Sequence, residues 1–240
     1  MKVGVELLKK GAHGLGVTVT GEQVDQLMEY MRMLTDWNKR MNLTAITEDR
    51  DVIIKHFLDS ITCAATGYVN DGLKAIDVGT GAGFPGIPLK IMYPDLEITL
   101  LDSLKKRVLF LECVIARLGL KGAVPIHGRA EELARDVAHR EKYQLCFSRA
   151  VAHMSVVSEY CLPFVETGGV FLAMKGPGYI EEIDQADRAI GILGGCMSQV
   201  RDFRLPFTDI THYIIIIEKL TATGSEYPRK AGRPAKKPLS

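Results

Sequence analysis

Leu73-Lys74-Ala75-Ile76-Asp77-Val78-Gly79-Thr80-Gly81-Ala82-Gly83-Phe84-Pro85-Gly86 is an apolar strand that runs directly into four glycines within eight residues. Glycine at that density weakens any regular element, so its use here implies positive φ or a close approach of the backbone to a ligand. Pro85 suits the first turn of a helix, and the apolar Ile87, Leu89 and Ile91 follow it. Strand, glycine turn, helix is the local plan, and it presents free backbone N–H groups to whatever lies over the turn.

Two nucleotide-cofactor readings compete for that turn. Gly81-Ala82-Gly83-Phe84-Pro85-Gly86 satisfies the letters G-x-G-x-x-G of dinucleotide-binding folds. With the strand ending at Val78, however, the first turn glycine is Gly79, and the third fingerprint glycine belongs at 84, where Phe84 stands. In that register the turn reads Asp-x-Gly-x-Gly-x-Gly, with Asp77 inside the strand end, and it resembles motif I of class I S-adenosylmethionine-dependent methyltransferases. A cationic sulfonium cofactor with an amino group gives a nearby carboxylate a role that a pyrophosphate does not. The next strand, Glu97-Ile98-Thr99-Leu100-Leu101, ends in Asp102, about where either fold places an acid against ribose hydroxyls. Asp102 therefore supports a ribose-bearing cofactor without choosing between them. A structural glycine turn in an unrelated α/β protein is the plain alternative.

The chain has 240 residues, 47% hydrophobic and 25% charged, enough for one α/β domain and a modest extension. Its formal charge of +1 means that any nucleic-acid footprint must come from local clusters. Cys63, Cys113, Cys146, Cys161 and Cys196 are scattered without C-x-x-C or C-x-x-H spacing, so neither a metal site nor a disulfide framework is indicated. Met1-Lys2-Val3-Gly4-Val5-Glu6 lacks the apolar run of a signal peptide, and no apolar run is long enough to span a bilayer. The expectation is a cytoplasmic monomer with no membrane or metal partner.

Residues 1–66 read as a helical extension. Thr20 and Gln23 fit a capping box, after which Val24, Leu27, Met28, Met31, Leu34 and Trp37 recur at helical spacing as a core face. A second helix is expected from Glu48 toward Ala65, carrying His56 and Asp59 three apart. They read as a solvated or locally hydrogen-bonded pair, with a joint approach to a ligand as the alternative. Across 67–220 strand and helix alternate, with strands at 73–79, 97–102, 123–127, 143–148, 168–175, 197–203 and 211–219. That pattern predicts a Rossmann-like α/β domain with a seven-stranded, mostly parallel sheet. Lys105, Lys106 and Arg107 open a helix where cations are electrostatically unfavourable, which invites an RNA-phosphate role against the plain reading of a soluble face. The third strand delivers Ala130 and Glu131, the fourth Arg149 and the fifth Lys175 to the edge where ligands bind in open sheets. Arg149 suits guanine O6 or a phosphate, its plain reading being an ion pair at a strand end. Residues 221–240, rich in proline, arginine and lysine, read as an extended basic arm or a solubilising tail.

Several stretches together resemble one family, the bacterial ribosomal RNA small-subunit methyltransferase G proteins, also called glucose-inhibited division protein B. They are Asn42-Leu43-Thr44, His56-Phe57-Leu58-Asp59-Ser60, the run from Asp77 to Leu89, Leu101-Asp102-Ser103-Leu104-Lys105-Lys106-Arg107, Gly128-Arg129-Ala130-Glu131, Ser148-Arg149-Ala150-Val151, Lys175-Gly176 and the tail from Tyr227 to Leu239. The resemblance implies methylation of N7 of one guanine in the decoding-region loop of 16S ribosomal RNA, free or in the small subunit, with S-adenosylmethionine as cofactor. Gly79, Phe84, Asp102, Ser103, Leu104, Ala130, Glu131 and Arg149 match the family's cofactor-contact positions, beside Asp77 and Gly81 of the turn. Lys105, Lys106, Arg107, Lys175, Arg229, Lys230, Arg233, Lys236 and Lys237 are the expected RNA contacts. Guanine N7 carries an in-plane lone pair, so such a site needs positioning and a suitable electrostatic surround rather than a general base. The sequence fits this: no Asn-Pro-Pro-Tyr step follows the fourth strand, as exocyclic-amine methylation would require, and no Pro-Cys nucleophile appears. A small-molecule methyltransferase, a nicotinamide-linked oxidoreductase and a non-catalytic ribosome-binding factor are the competing readings.

Overall fold

The computed structural model describes residues 2–149 and 152–239; Ala150 and Val151 of the Ser-Arg-Ala-Val step lie outside them. A seven-stranded sheet runs in the order β3-β2-β1-β4-β5-β7-β6. Its strands are β1 Lys74–Val78, β2 Glu97–Asp102, β3 Ala123–His127, β4 Tyr143–Arg149, β5 Val165–Lys175, β6 Gly195–Arg204 and β7 Thr211–Lys219. The first five pair in parallel, while β7 pairs antiparallel with both β5 and β6. All seven expected strands form, with β5 and β6 starting earlier than their apolar runs suggested.

β1 is buried from Ala75 to Val78, as a central parallel strand covered on both faces must be. One face is covered by α1 Lys2–Gly14, α2 Gly21–Met41, α5 Gly86–Met92 and α6 Lys105–Leu118, and the other by α8 Met154–Cys161 and α9 Tyr179–Ile192. The helices before the sheet share one core with it: Leu8, Val24, Leu27 and Leu34 belong to the same cluster as Leu100, Phe110 and Ile216. The capping box at Thr20 forms in both directions. The helical stripe gains a buried residue that its spacing did not show, while Met28, Met31 and Trp37 are only partly buried. Tyr30 is its buried aromatic, and its hydroxyl donates to the Ala82 carbonyl inside the glycine turn.

The expected helix from 48 to 65 is built in three pieces, α3 Asp49–Val52, a π-helical stretch Ile53–Leu58 and α4 Asp59–Ala65. The π stretch contains His56, and such wide turns mark places where the side-chain register is shifted locally. Beyond β7 the chain does not extend as an arm. Tyr227 and Leu239 pack on the second core cluster, Pro234 is buried, and α10 Arg233–Lys236 closes the chain.

Candidate functional site

The topology reverses between β1 and β4, so the carboxyl ends of β2, β1, β4 and β5 open onto one crevice, the place where open α/β sheets bind ligands. The start of β7 joins that edge, because Tyr213 pairs with Lys175 at the end of β5. A cavity of about 950 Å³ runs along it, from Asp102 and Ser103 past Gly79 and Gly81 to Phe84, Arg149, Lys175 and His212.

The glycine turn is shaped from behind. Asp77 is fully buried, and its Oδ2 accepts from Thr80 Oγ1 (2.7 Å) and from the Gly86 N–H (2.9 Å), pinning both ends of the turn. Its Oδ1 is buried without a hydrogen-bond partner among the described residues, and burial pushes the carboxyl up to about 6. Gly79, Gly81 and Gly83 all have positive φ. A Cβ at Gly83 would fall 2.7 Å from the Tyr30 hydroxyl, whereas at Gly81 it would meet nothing closer than 4.0 Å. The space over Gly81 is thus open for a ligand, while Gly83 is glycine for packing.

Asp102, at the end of β2, ties the turn to the neighbouring helix. Oδ2 accepts the Gly81 N–H at 2.9 Å and Arg107 at 3.2 Å, and Oδ1 accepts the Leu104 N–H at 2.8 Å. An ionised carboxylate has roughly four acceptor positions, so about one remains for a ligand hydroxyl. The same contacts explain the misplaced cations of α6: Arg107 folds back onto Asp102, and Lys106 donates to the Met41 carbonyl at the end of α2 (2.7 Å).

Across the turn lies a buried polar cluster. Arg149 donates from Nη1 to Asp59 Oδ2 (2.9 Å) and to the Lys55 carbonyl (3.0 Å), and from Nη2 to His56 Nδ1 (2.9 Å). Arginine only donates, so His56 must accept at Nδ1 and, as a neutral ring, donate from Nε2 to Thr44 Oγ1 (2.9 Å). Burial first, and the Arg149 charge second, push the His56 imidazole down to about 3. The imidazole stacks on Phe84 at 4.3 Å between centroids, and the guanidinium lies 5.1 Å from the same ring. Asp59 completes the cluster by accepting from His212 Nδ1 at 2.6 Å. Burial works to raise Asp59, but the His212 hydrogen bond and the Arg149 charge overcome it and hold the carboxyl below its ordinary value.

The residues expected at the site are distributed as follows. Gly79, Gly81, Phe84, Asp102, Ser103, Arg107, Arg149 and Lys175 line the cavity; Asp77 stands behind it, and Leu104, Ala130 and Glu131 lie off it. Glu131, in the short helix α7 Ala130–Leu133, accepts the Gly232 N–H (2.8 Å). His56 and Asp59 are not a solvated pair. Both are buried, because Arg149 reaches them from β4. Three expected RNA contacts are already spent. Arg107 pairs with Asp102; Lys175 is held by Glu182 (2.6 Å) and the Ala152 carbonyl (2.5 Å); Arg229 grips the fully buried Glu159 through Nε and Nη2, with Nη2 at 2.6 Å. A buried carboxylate left without its cation is costly, which is why these arginines turn inward. Lys105, Lys230, Arg233, Lys236 and Lys237 are exposed. His212 carries no motif signal and Thr44, though in the Asn42-Leu43-Thr44 stretch, no expected role; only the folded chain brings Thr44 to His56 and His212 to Asp59. Among the described residues no cluster of three or more His, Cys, Asp or Glu side chains is placed to hold a metal ion, and no helix is long and apolar enough to cross a membrane.

Residues 23–210 match the family model described as rRNA small subunit methyltransferase G. The chain is 52% identical over 234 residues to a ribosomal RNA small subunit methyltransferase G of Alkaliphilus oremlandii, covering 98% of each chain. It is 49% identical over 235 residues to the protein of that name from Acetivibrio thermocellus, covering 98% of this chain and 96% of the relative. Among solved structures it is similar in fold to a precorrin-6y C5,15-methyltransferase from Geobacter metallireducens, with TM-score 0.51, 13% identity, and coverage of 68% of this chain and 87% of that one. A second likeness is to M. jannaschii TYW2 in complex with AdoMet, with TM-score 0.51, 15% identity, and coverage of 65% and 74%. With the open glycine turn, the aspartate at the end of β2 and near full-length identity in agreement, this chain belongs to the rRNA small subunit methyltransferase G family of S-adenosylmethionine-dependent enzymes.

Proposed function

We propose that this chain, acting in the cytoplasm as a monomer, methylates N7 of one guanine in the decoding-region loop of 16S ribosomal RNA. The observation that carries the reading is a single cavity with a nucleoside-holding end at Gly81 and Asp102, and a second end at Arg149 and His212 in which every carboxylate is already paired. S-adenosylmethionine supplies an electrophilic methyl group on a sulfonium sulfur. The residues present fit it: the backbone over Gly81 is open, Asp102 keeps an acceptor position for a ribose hydroxyl, and an orphaned carboxylate oxygen, Asp77 Oδ1, lies behind the turn. Ser103 and Leu104 beyond Asp102, with Ala130 and Glu131 at the end of the neighbouring β3, are assigned to the nucleoside base.

Asp59 and Glu182 line the far end, but each faces a cation at 2.9 Å or less, so neither is free to take a proton. N7 has none to give. Its lone pair attacks directly, and the chain's work is to hold the purine in line and exclude water. Phe84, stacked against His56 and bordered by the Arg149 guanidinium that His56 holds, is a rigid apolar floor for that purpose. The exposed Lys105, Lys230, Arg233, Lys236 and Lys237 supply attraction for phosphate. The experiment is methyl transfer to naked small-subunit RNA and to assembled subunits, with the modified base mapped. N7-methylguanine at one position is expected; methyl on an exocyclic amine or a carbon would overturn the reading.

A further inference from the structure

We infer that His212 determines base specificity in this reaction, its Nε2 accepting the N1–H of the target guanine. The inference rests on the reading just proposed. Gly79, Gly81 and Asp102 occupy the β1 and β2 end of the cavity, and His212 stands three strands away at the start of β7, on the wall opposite the cofactor turn. At about 4.8 Å per strand, that separation leaves room for a purine between them.

The ring is oriented rather than loose. Asp59 is buried and ionised, so the Nδ1 that meets it at 2.6 Å must carry hydrogen, and an imidazole with its single hydrogen there offers a lone pair at Nε2. Nε2 has no hydrogen-bond partner among the described residues, and the side chain is 30% exposed at the cavity wall. A purely structural role explains less. Arg149 already balances the charge of Asp59, so a second partner is not needed to neutralise it.

The chemistry selects the atom. Two bases present an N7, guanine and adenine, and a site that only aligned N7 would accept both. Their N1 positions differ in sign, since guanine carries N1–H and adenine a lone pair. An acceptor at N1 welcomes the first and repels the second. It also favours the transition state. As the methyl bonds to N7 and the carbon–sulfur pair retires to sulfur, the purine gains positive charge and its N1–H becomes a stronger donor. The contact is therefore stronger in the transition state than in the ground state.

The test measures kcat/KM on small-subunit RNA carrying guanosine, N1-methylguanosine or adenosine at the mapped position, for the parent, His212→Ala and His212→Gln, with S-adenosylhomocysteine affinity by calorimetry alongside. The parent should reject N1-methylguanosine and adenosine by roughly tenfold or more. His212→Ala should lose about tenfold on guanosine, mostly in kcat, and lose the discrimination against N1-methylguanosine, with cofactor affinity unchanged. His212→Gln, which retains an acceptor at that reach, should recover part of both. Unchanged discrimination in a folded His212→Ala, or a loss seen in cofactor affinity instead, overturns the inference alone. A parent that places no methyl on guanine N7 overturns the proposed function and this inference with it.

Discussion

Asp59 is the residue on which the polar cluster depends, because it alone meets both the guanidinium of Arg149 and the imidazole of His212. Removing its charge leaves Arg149 largely buried without a counter-ion, and breaking a buried pair from one side costs about 3–5 kcal/mol. Asp59→Ala should therefore lower the unfolding free energy from urea titration by that order while Asp59→Glu loses less; equal midpoints for parent and alanine variant would remove the pair from the folding energetics. His56 links stability to pH. Its folded value of about 3 lies below the ordinary histidine value, so unfolding takes up a proton between them. Stability is fully present above about 6.5 and falls as pH drops toward 3, by up to roughly 4 kcal/mol from this group. Asp77 acts with the opposite sign: raised to about 6, it contributes stability at low pH that is lost as pH rises through that value. Urea titrations from pH 7 to 4 should show a shallower acid loss in His56→Gln and a steeper one in Asp77→Asn. Gly81→Val places a branched side chain in the open space over the turn at φ +64. A folded protein with collapsed S-adenosylhomocysteine affinity is expected, as calorimetry would show.

At the scale of elements, the segment after β7 behaves as part of the fold. Arg135 and Arg140, which follow α7, donate to the carbonyls of Thr223, Gly224, Glu226, Tyr227 and Pro228, and the segment returns Arg229 to Glu159 and the Gly232 N–H to Glu131. Deleting residues 225–240 strands the buried Glu159 and unties α7, so cofactor affinity and thermal stability should fall together. Arg229→Ala alone should reproduce much of the stability loss, whereas alanine at Lys236 and Lys237 should leave it within about 0.5 kcal/mol. Differential scanning calorimetry separates these cases, and an unshifted Tm in the truncation would return the segment to the status of a solvated tail.

For the whole molecule, a net charge of +1 gives no general attraction to RNA, so binding must come from where the unpaired cations stand. Six of the nine expected contacts are exposed, and five of these, Lys105, Lys230, Arg233, Lys236 and Lys237, make no side-chain hydrogen bond among the described residues, while Lys106 is held by the Met41 carbonyl. Each lost phosphate contact reduces the slope of log affinity against log salt by about 0.7–0.9. A variant with all five replaced by alanine should give a visibly flatter salt titration and unchanged cofactor binding. An identical slope would place the RNA on another face.

The sequence by itself determined the central plan. A buried apolar strand, a turn of glycines and an alternation of strands with helices are patterns within short windows, where the backbone's steric rules and the two periodicities act directly. The resemblance carried by the turn and by Asp102 was legible for the same reason, since their spacing is local to one βαβ unit. Only the tertiary structure decided what the charges do. Asp59 lies 90 residues from Arg149 and 153 from His212, and Glu159 lies 70 from Arg229, separations at which no periodicity reports a contact. A basic run reads the same whether its cations face solvent or a buried carboxylate. Which it is depends on the cost of leaving that carboxylate unpaired once the core has closed around it.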